Sequence, residues 1–118
     1  MTRQLEDLKE RIRRFADDRD WDQFHTPKNL AMALIVEAAE MVEHFQWLTG
    51  EESQALPADK KLEVEAELAD ILIYLVRIAD KLDIDLHRAA LEKLQRNAEK
   101  YPAEKVRGNS SKYSEYPE

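Results

Sequence analysis

The sequence predicts an all-α fold resembling a four-helix bundle, and three observations lead there. Apolar residues recur at three- and four-residue intervals in four segments, the spacing that gathers them on one face of a helix. Only two glycines and four prolines occur in 118 residues, too few for the many tight turns of an all-β chain. Capping residues and prolines stand at the segment boundaries, where helices start and stop. A chain of this length suits one domain with a modest core.

The first helix is expected from about Arg3 to Asp18, with Leu5, Leu8, Ile12 and Phe15 at helical intervals. A connector follows, "RDWDQFHTPKN", mixing aromatic and polar groups. Thr26 then reads as an N-cap with Pro27 in the first helical position. The second helix runs from Pro27 to about Leu48 and stops at Gly50, and "GEESQALPAD" is a loop. Asp59 caps a third helix that reaches about Leu82. Asp85 caps a fourth, from Leu86 to Tyr101, closed by Pro102. Residues 1–102 thus form the helical domain, and 103–118 a polar C-terminal tail without regular structure of its own.

Composition excludes several classes of function. There is no cysteine, hence no disulfide, no cysteine-ligated zinc and no thiol catalysis. The N-terminal stretch "MTRQLEDLKERIRRF" has no signal-peptide apolar region, and no apolar run approaches membrane-spanning length, so a cytoplasmic protein without a membrane partner is expected. The net charge of −7 is unevenly distributed: residues 37–70 hold ten acids against Lys60 and Lys61. A binder of polymeric nucleic acid is expected to carry a basic stripe, and none stands out. A concentrated acidic block suits either a solvated surface or a cation site.

The acids sit in the two most apolar helices. At about 100° per residue, Leu30, Leu34, Met41, Phe45 and Leu48 share one face of the second helix, with Glu37, Glu40 and His44 at its edge and Val36 and Trp47 beyond. On the third helix, Glu63, Glu67, Asp70 and Tyr74 run between the face of Val64, Leu68, Ile71, Leu75, Ile78 and Leu82 and a second face of Ala66, Ala69, Ile73 and Val76. Each acidic stripe is flanked by apolar surface, so the carboxylates are expected to line a cleft. Glu37/Glu40 and Glu67/Asp70 have i,i+3 spacing, which makes each pair neighbours. If the helices pack antiparallel, four hard oxygen ligands converge, a set that suits Mg²⁺ or Mn²⁺. A di-iron carboxylate bundle would need Glu-x-x-His. Here Glu40 to His44 is one residue too long, and the third helix has no histidine. A helix apolar on two sides in so short a chain is expected to bury one side against another subunit, as a homo-dimer or homo-tetramer. The rival to an enzyme is a non-catalytic helical oligomer whose acidic clusters bind a cation structurally.

The paired E-x-x-E and E-x-x-D resemble those of the MazG-like all-α nucleoside triphosphate pyrophosphohydrolases. The stretches "DWDQFHTPKNLAMALIVEAAEMVEHFQW", "ELADILIYLV" and "NAEKYP" look most like the dCTP pyrophosphatase branch, and the "SSKYSE" tail is similar. The resemblance implies Mg²⁺-dependent cleavage of a nucleoside triphosphate, dCTP or a modified dCTP, to monophosphate and pyrophosphate. It carries over Glu37, Glu40, Glu67 and Asp70 as metal ligands. Glu37 or Glu40 is the candidate to orient or deprotonate the attacking water, since a base must sit within one hydrogen bond of the nucleophile. Many MazG-like proteins carry E-E-x-x-E, whereas Val36 precedes Glu37 here.

The remaining site candidates surround those acids. Asn97 lies among Leu86, Ala90, Leu94 and Tyr101 on the fourth helix, with Lys93 and Lys100 to one side. In similar proteins the N-x-x-K-Y motif contacts the nucleotide, which makes Asn97, Lys100 and Tyr101 substrate-binding candidates together with Lys93. Trp21, Trp47 and Tyr74 are candidates for a base pocket, since stacking is favourable with any π-face. Phe24 and Phe45 are assigned to the core. His25, next to the Thr26 cap, is expected to hydrogen-bond substrate, the family having a similar F-H-x-P-x-N segment. His44 is expected to support the acidic stripe.

Overall fold

A computed structural model describes residues 2–108. All regular structure among them is helical, in four long α-helices, two short ones and one turn of 3-10 helix. The chain forms two compact units, one of Met1–Ile84 and one beginning at Asp85. No helix among the described residues is long and apolar enough to cross a membrane.

In the first unit α1 spans Thr2–Asp18, α2 Pro27–Glu43, α3 Gly50–Ser53 and α4 Ala58–Lys81. Helix α4 is the organising element, packing mainly against α2 and also against α1. Partners of α2 descend along α4, from Asp70 near Glu37 to Glu63 and Lys60 near His44, so the two helices run antiparallel. Buried apolar residues are few among those described: Ile12 and Ala16 of α1, Leu30 of α2, and Val64, Val76 and Ala79 of α4.

Local chemistry explains most boundaries. Thr26 caps α2 by accepting from the Asn29 amide at 3.1 Å, with Pro27 behind it. Both α1 and α4 end with an aspartate in the left-handed region, Asp20 and Asp83, each at φ 55°. In each case the next amide reaches back five residues, Trp21 N to Ala16 O at 2.9 Å and Ile84 N to Ala79 O at 2.8 Å. That is the closure glycine usually supplies; aspartate is among the few other residues that tolerate it.

The region after α2 departs from expectation. The helix ends at Glu43 rather than Leu48, and His44–Trp47 form overlapping turns. Thr49 and Glu52 make a reciprocal capping box, with Glu52 N to Thr49 Oγ1 at 3.1 Å and Thr49 N to Glu52 Oε1 at 2.8 Å. This box starts α3 where a loop was expected, and Gly50 opens a helix instead of stopping one. Asp59 does not cap α4: Pro57 occupies that position without a side-chain bond, and Asp59 lies in the first turn, where a negative charge favours the helix dipole. Phe24, expected in the core, is 58% exposed in a single turn of 3-10 helix, Asp22–Phe24. That turn is held by backbone bonds to Trp21 and Asp22 rather than by burial of its side chain.

Both predicted apolar faces of α4 are only partly covered. Leu68, Leu75 and Leu82 of the first face and Ile73 of the second are exposed, as are Met32, Ile35, Val36 and Val42 of α2.

In the second unit, α5 spans Leu86–Lys100 and α6 Ala103–Val106. Asp85 caps α5 by accepting from the Arg88 amide at 3.0 Å. Pro102 starts the single turn of α6, at the beginning of the segment expected to be irregular. The "SSKYSE" stretch lies outside the described residues.

Candidate functional site

Helix α4 presents Glu67, Asp70, Tyr74, Arg77 and Lys81 at helical intervals along one stripe. Its first half meets α2 through carboxylates. Ligand oxygens of Glu37, Glu67 and Asp70 all lie within 4.8 Å of one another. Glu67 Oε2 is buried and has no hydrogen-bond partner. Its other oxygen is 3.8 Å from His44 Nε2, while His44 Nδ1 is 3.6 Å from Glu63 and 3.5 Å from Lys60 Nζ.

Carboxylates held this way repel one another, and the consequence falls on Glu37. Its pKa is pushed up to about 7, first by sharing a hydrogen bond with Glu67, then by desolvation and by the charges of Glu40 and Asp70. Tyr74 is raised as well, by burial and then by Glu37 and Asp70, so its hydroxyl belongs to the same electrostatic neighbourhood. An orphaned buried oxygen among three oxygen donors is the environment a hard divalent cation satisfies, and the residues fit such an ion. Glu40 is half-buried and close enough to act on Glu37 through its charge, but it stands outside the trio.

A cavity of about 560 Å³ lies among the turn after α2, α3 and the start of α4, walled by Leu48, Leu56, Pro57, His44 and Lys60. Through His44 it adjoins Glu67. Trp47 is 86% exposed, because the turn carries it off the helical stripe on which it was expected.

The second half of the α4 stripe is a paired charge network. Arg77, 3% exposed, bonds Asp22, Asp80 and His25. Arg13 grips Asp80 with two bonds of 2.6 and 3.0 Å, and Lys81 reaches Asp22 at 2.7 Å. Trp21 packs edge-on against both Phe15 and His25, with centroids 5.7 and 6.4 Å apart. Sequence reasoning assigned no role to Arg77, Asp22 or Asp80. One signal was available: Arg77 interrupts the apolar run "ILIYLVRIADKL" in the register of Glu67 and Asp70.

The other predicted contacts belong to the second unit. Asn97 is half-buried on α5, with its carbonyl accepting from the Tyr101 amide at 2.8 Å. Lys93 and Lys100 are exposed, and Lys100 Nζ sits 5.7 Å from the Tyr101 ring centroid.

Known proteins share this architecture and these segments. A family model described as the MazG-like family matches residues 32–116. The chain belongs to the MazG-like family. Human dCTP pyrophosphatase 1 is 43% identical over 115 residues, spanning 96% of this chain and 68% of that protein. The mouse protein of the same name is 41% identical over the same shares. These relatives put the chain on the dCTP pyrophosphatase branch of the MazG-like family. A solved structure of a pyrophosphatase from Archaeoglobus fulgidus matches with a TM-score of 0.79 at 41% identity, covering 84% of this chain and 93% of that one.

Proposed function

We propose that this MazG-like nucleoside triphosphate pyrophosphatase is Mg²⁺-dependent and cleaves dCTP or a modified dCTP to the monophosphate and pyrophosphate, as an enzyme of nucleotide-pool sanitation. The observation that carries the proposal is the carboxylate trio with its unsatisfied buried Glu67 oxygen. A site so poor in cations calls for a divalent metal, and the names of the relatives supply the substrate class.

Glu37, Glu67 and Asp70 would hold the ion. When bound, Mg²⁺ supplies Lewis-acid charge for the triphosphate oxygens. Glu40, next to the trio and not part of it, is placed to orient the attacking water and accept its proton as the bond to the α-phosphorus forms. His44, with Nε2 3.8 Å from Glu67, is the candidate to support that carboxylate. Tyr74 lies beside the reacting phosphate. The 560 Å³ cavity beside His44 is large enough for a nucleoside; Trp21, His25 and Trp47 lie outside its lining and are proposed as separate nucleotide contacts. Asn97, Lys100 and Tyr101, together with Lys93, are proposed as substrate-binding residues on the strength of the N-x-x-K-Y resemblance alone.

The uncovered apolar residues of α2 and α4 support a homo-dimer or homo-tetramer. The cytoplasm, where nucleotide pools reside, is the expected compartment.

The deciding experiment is product analysis with a panel of dNTPs and modified nucleotides plus Mg²⁺, comparing wild type with Glu37→Gln. Pyrophosphate and monophosphate from wild type only are expected, with dCTP or a modified dCTP ranked first. Release of orthophosphate and diphosphate would refute the bond assignment. No turnover by a folded, metal-loaded wild type would leave a structural cation binder as the better description.

A further inference from the structure

Arg77 is the buried charged side chain of the first unit, and its contacts join segments far apart in sequence. Nη2 donates to Asp22 Oδ1 at 2.7 Å, Nη1 to Asp80 Oδ2 at 3.3 Å, and Nε to His25 Nδ1 at 3.2 Å. Asp80 is held from the other side by Arg13, and Asp22 by Lys81. The guanidinium is thus fixed on two carboxylates, leaving Nε directed at the imidazole.

That contact dictates the state of the ring. An arginine side chain offers donors only and does not deprotonate in proteins. The nitrogen facing it must hold a lone pair, so the single proton of the neutral ring resides on Nε2. Protonating Nδ1 would set an N–H against an N–H beside a fixed positive charge. The edge of Trp21, with its ring at 61° to the imidazole, packs beside it.

We propose that Arg77 is a positioning residue: from α4 it anchors the connector through Asp22 and locks His25 as a neutral imidazole whose Nε2–H donates to an acceptor atom of the nucleotide. The proposal rests on the reading of His25 as a nucleotide contact. Among the described residues no hydrogen bond engages Nε2. The charged groups acting on the ring are Arg77 and Lys81 of α4 and Asp22 of its own connector. Burial and then Arg77 push the imidazole pKa down, Lys81 assists and Asp22 opposes them. The donor form therefore persists below the pH at which an ordinary histidine becomes charged.

The test is long-range ¹⁵N NMR of the full-length protein with labelled histidine rings, His25 being assigned with His25→Ala, combined with nucleotide kinetics. Wild type is expected to show the Nε2–H tautomer and to titrate below the usual histidine range. Arg77→Met should yield mixed tautomers, shift the titration upward, and raise KM about 3- to 10-fold with a smaller change in kcat, the scale of one lost hydrogen bond. Arg77→Lys, which retains a donor, should restore the tautomer and part of KM. A wild-type proton on Nδ1, or the same His25 spectrum in Arg77→Met, overturns the proposal. If Arg77→Met does not fold, wild type and Arg77→Lys decide it, since an Nδ1–H ring in either refutes the lock. A changed tautomer with unchanged KM also overturns the positioning role. His25→Ala separates the two failures: normal KM there removes His25 from the nucleotide site, whereas raised KM leaves that contact standing without Arg77's help.

Discussion

The two halves of α4 each meet a cluster of carboxylates and treat it in opposite ways. Near Glu67 and Asp70, carboxylates of two helices crowd together with an oxygen left unsatisfied. Two to three turns on, Asp80 and Asp22 are each held by two cations. Buried charge is costly in either place. In the second half the chain offsets that cost itself; in the first it leaves the cost open, which is the condition for an external cation to bind.

Both halves can be broken separately. The largest expected effect is on turnover: Glu37→Gln should lower pyrophosphate release by about 10²- to 10⁴-fold, with folding intact by circular dichroism. Glu40→Gln should show a comparable loss while retaining Mg²⁺ binding by calorimetry, because Glu40 lies outside the trio. Next comes Arg77→Met, which leaves Asp80 partly buried beside a missing partner. Urea titration should report a destabilisation of about 2 kcal/mol, the scale of a lost charge-assisted hydrogen bond, since Arg13 still pairs Asp80.

The pH dependence sharpens the contrast further. Glu37 has a folded pKa of about 7 against an ordinary 4.5, so its protonated form favours folding. That contribution is complete below about pH 4.5 and is lost as pH rises through about 7. Asp80, lowered chiefly by Arg13, and Asp22, lowered chiefly by Lys81, behave oppositely. Their contributions are present above the ordinary aspartate range and vanish on acidification. Calorimetric melting without metal should therefore decline from pH 5 to pH 8, and Glu37→Gln should flatten that decline. At pH 8, Mg²⁺ at 100 times its Kd should restore about 2.7 kcal/mol. The smallest effect is expected for Lys81→Ala, whose partner Asp22 is largely solvent-exposed; its melting temperature should stay within error of wild type.

Much of this molecule was legible beforehand. The long helices, the Thr26 and Asp85 caps and the acidic stripes on α2 and α4 all follow from local spacing, and the family resemblance rests on whole motif segments. The end of α2 was not, because Leu48 continues the apolar period although the helix has already given way to turns at His44. Phe24 has the composition of a core residue but sits in a turn that leaves its ring outside.

The sequence by itself determined where carboxylates interrupt apolar helices, since helical periodicity is local and 3.6 residues per turn fixes which side chains share a face. Only the tertiary structure decided that Glu37 meets Glu67 and Asp70, and that Arg77 turns inward to hold His25 and Asp22. Those choices depend on how α2, α4 and the connector pack, and contacts spanning 52 and 55 residues leave no periodic trace in the chain.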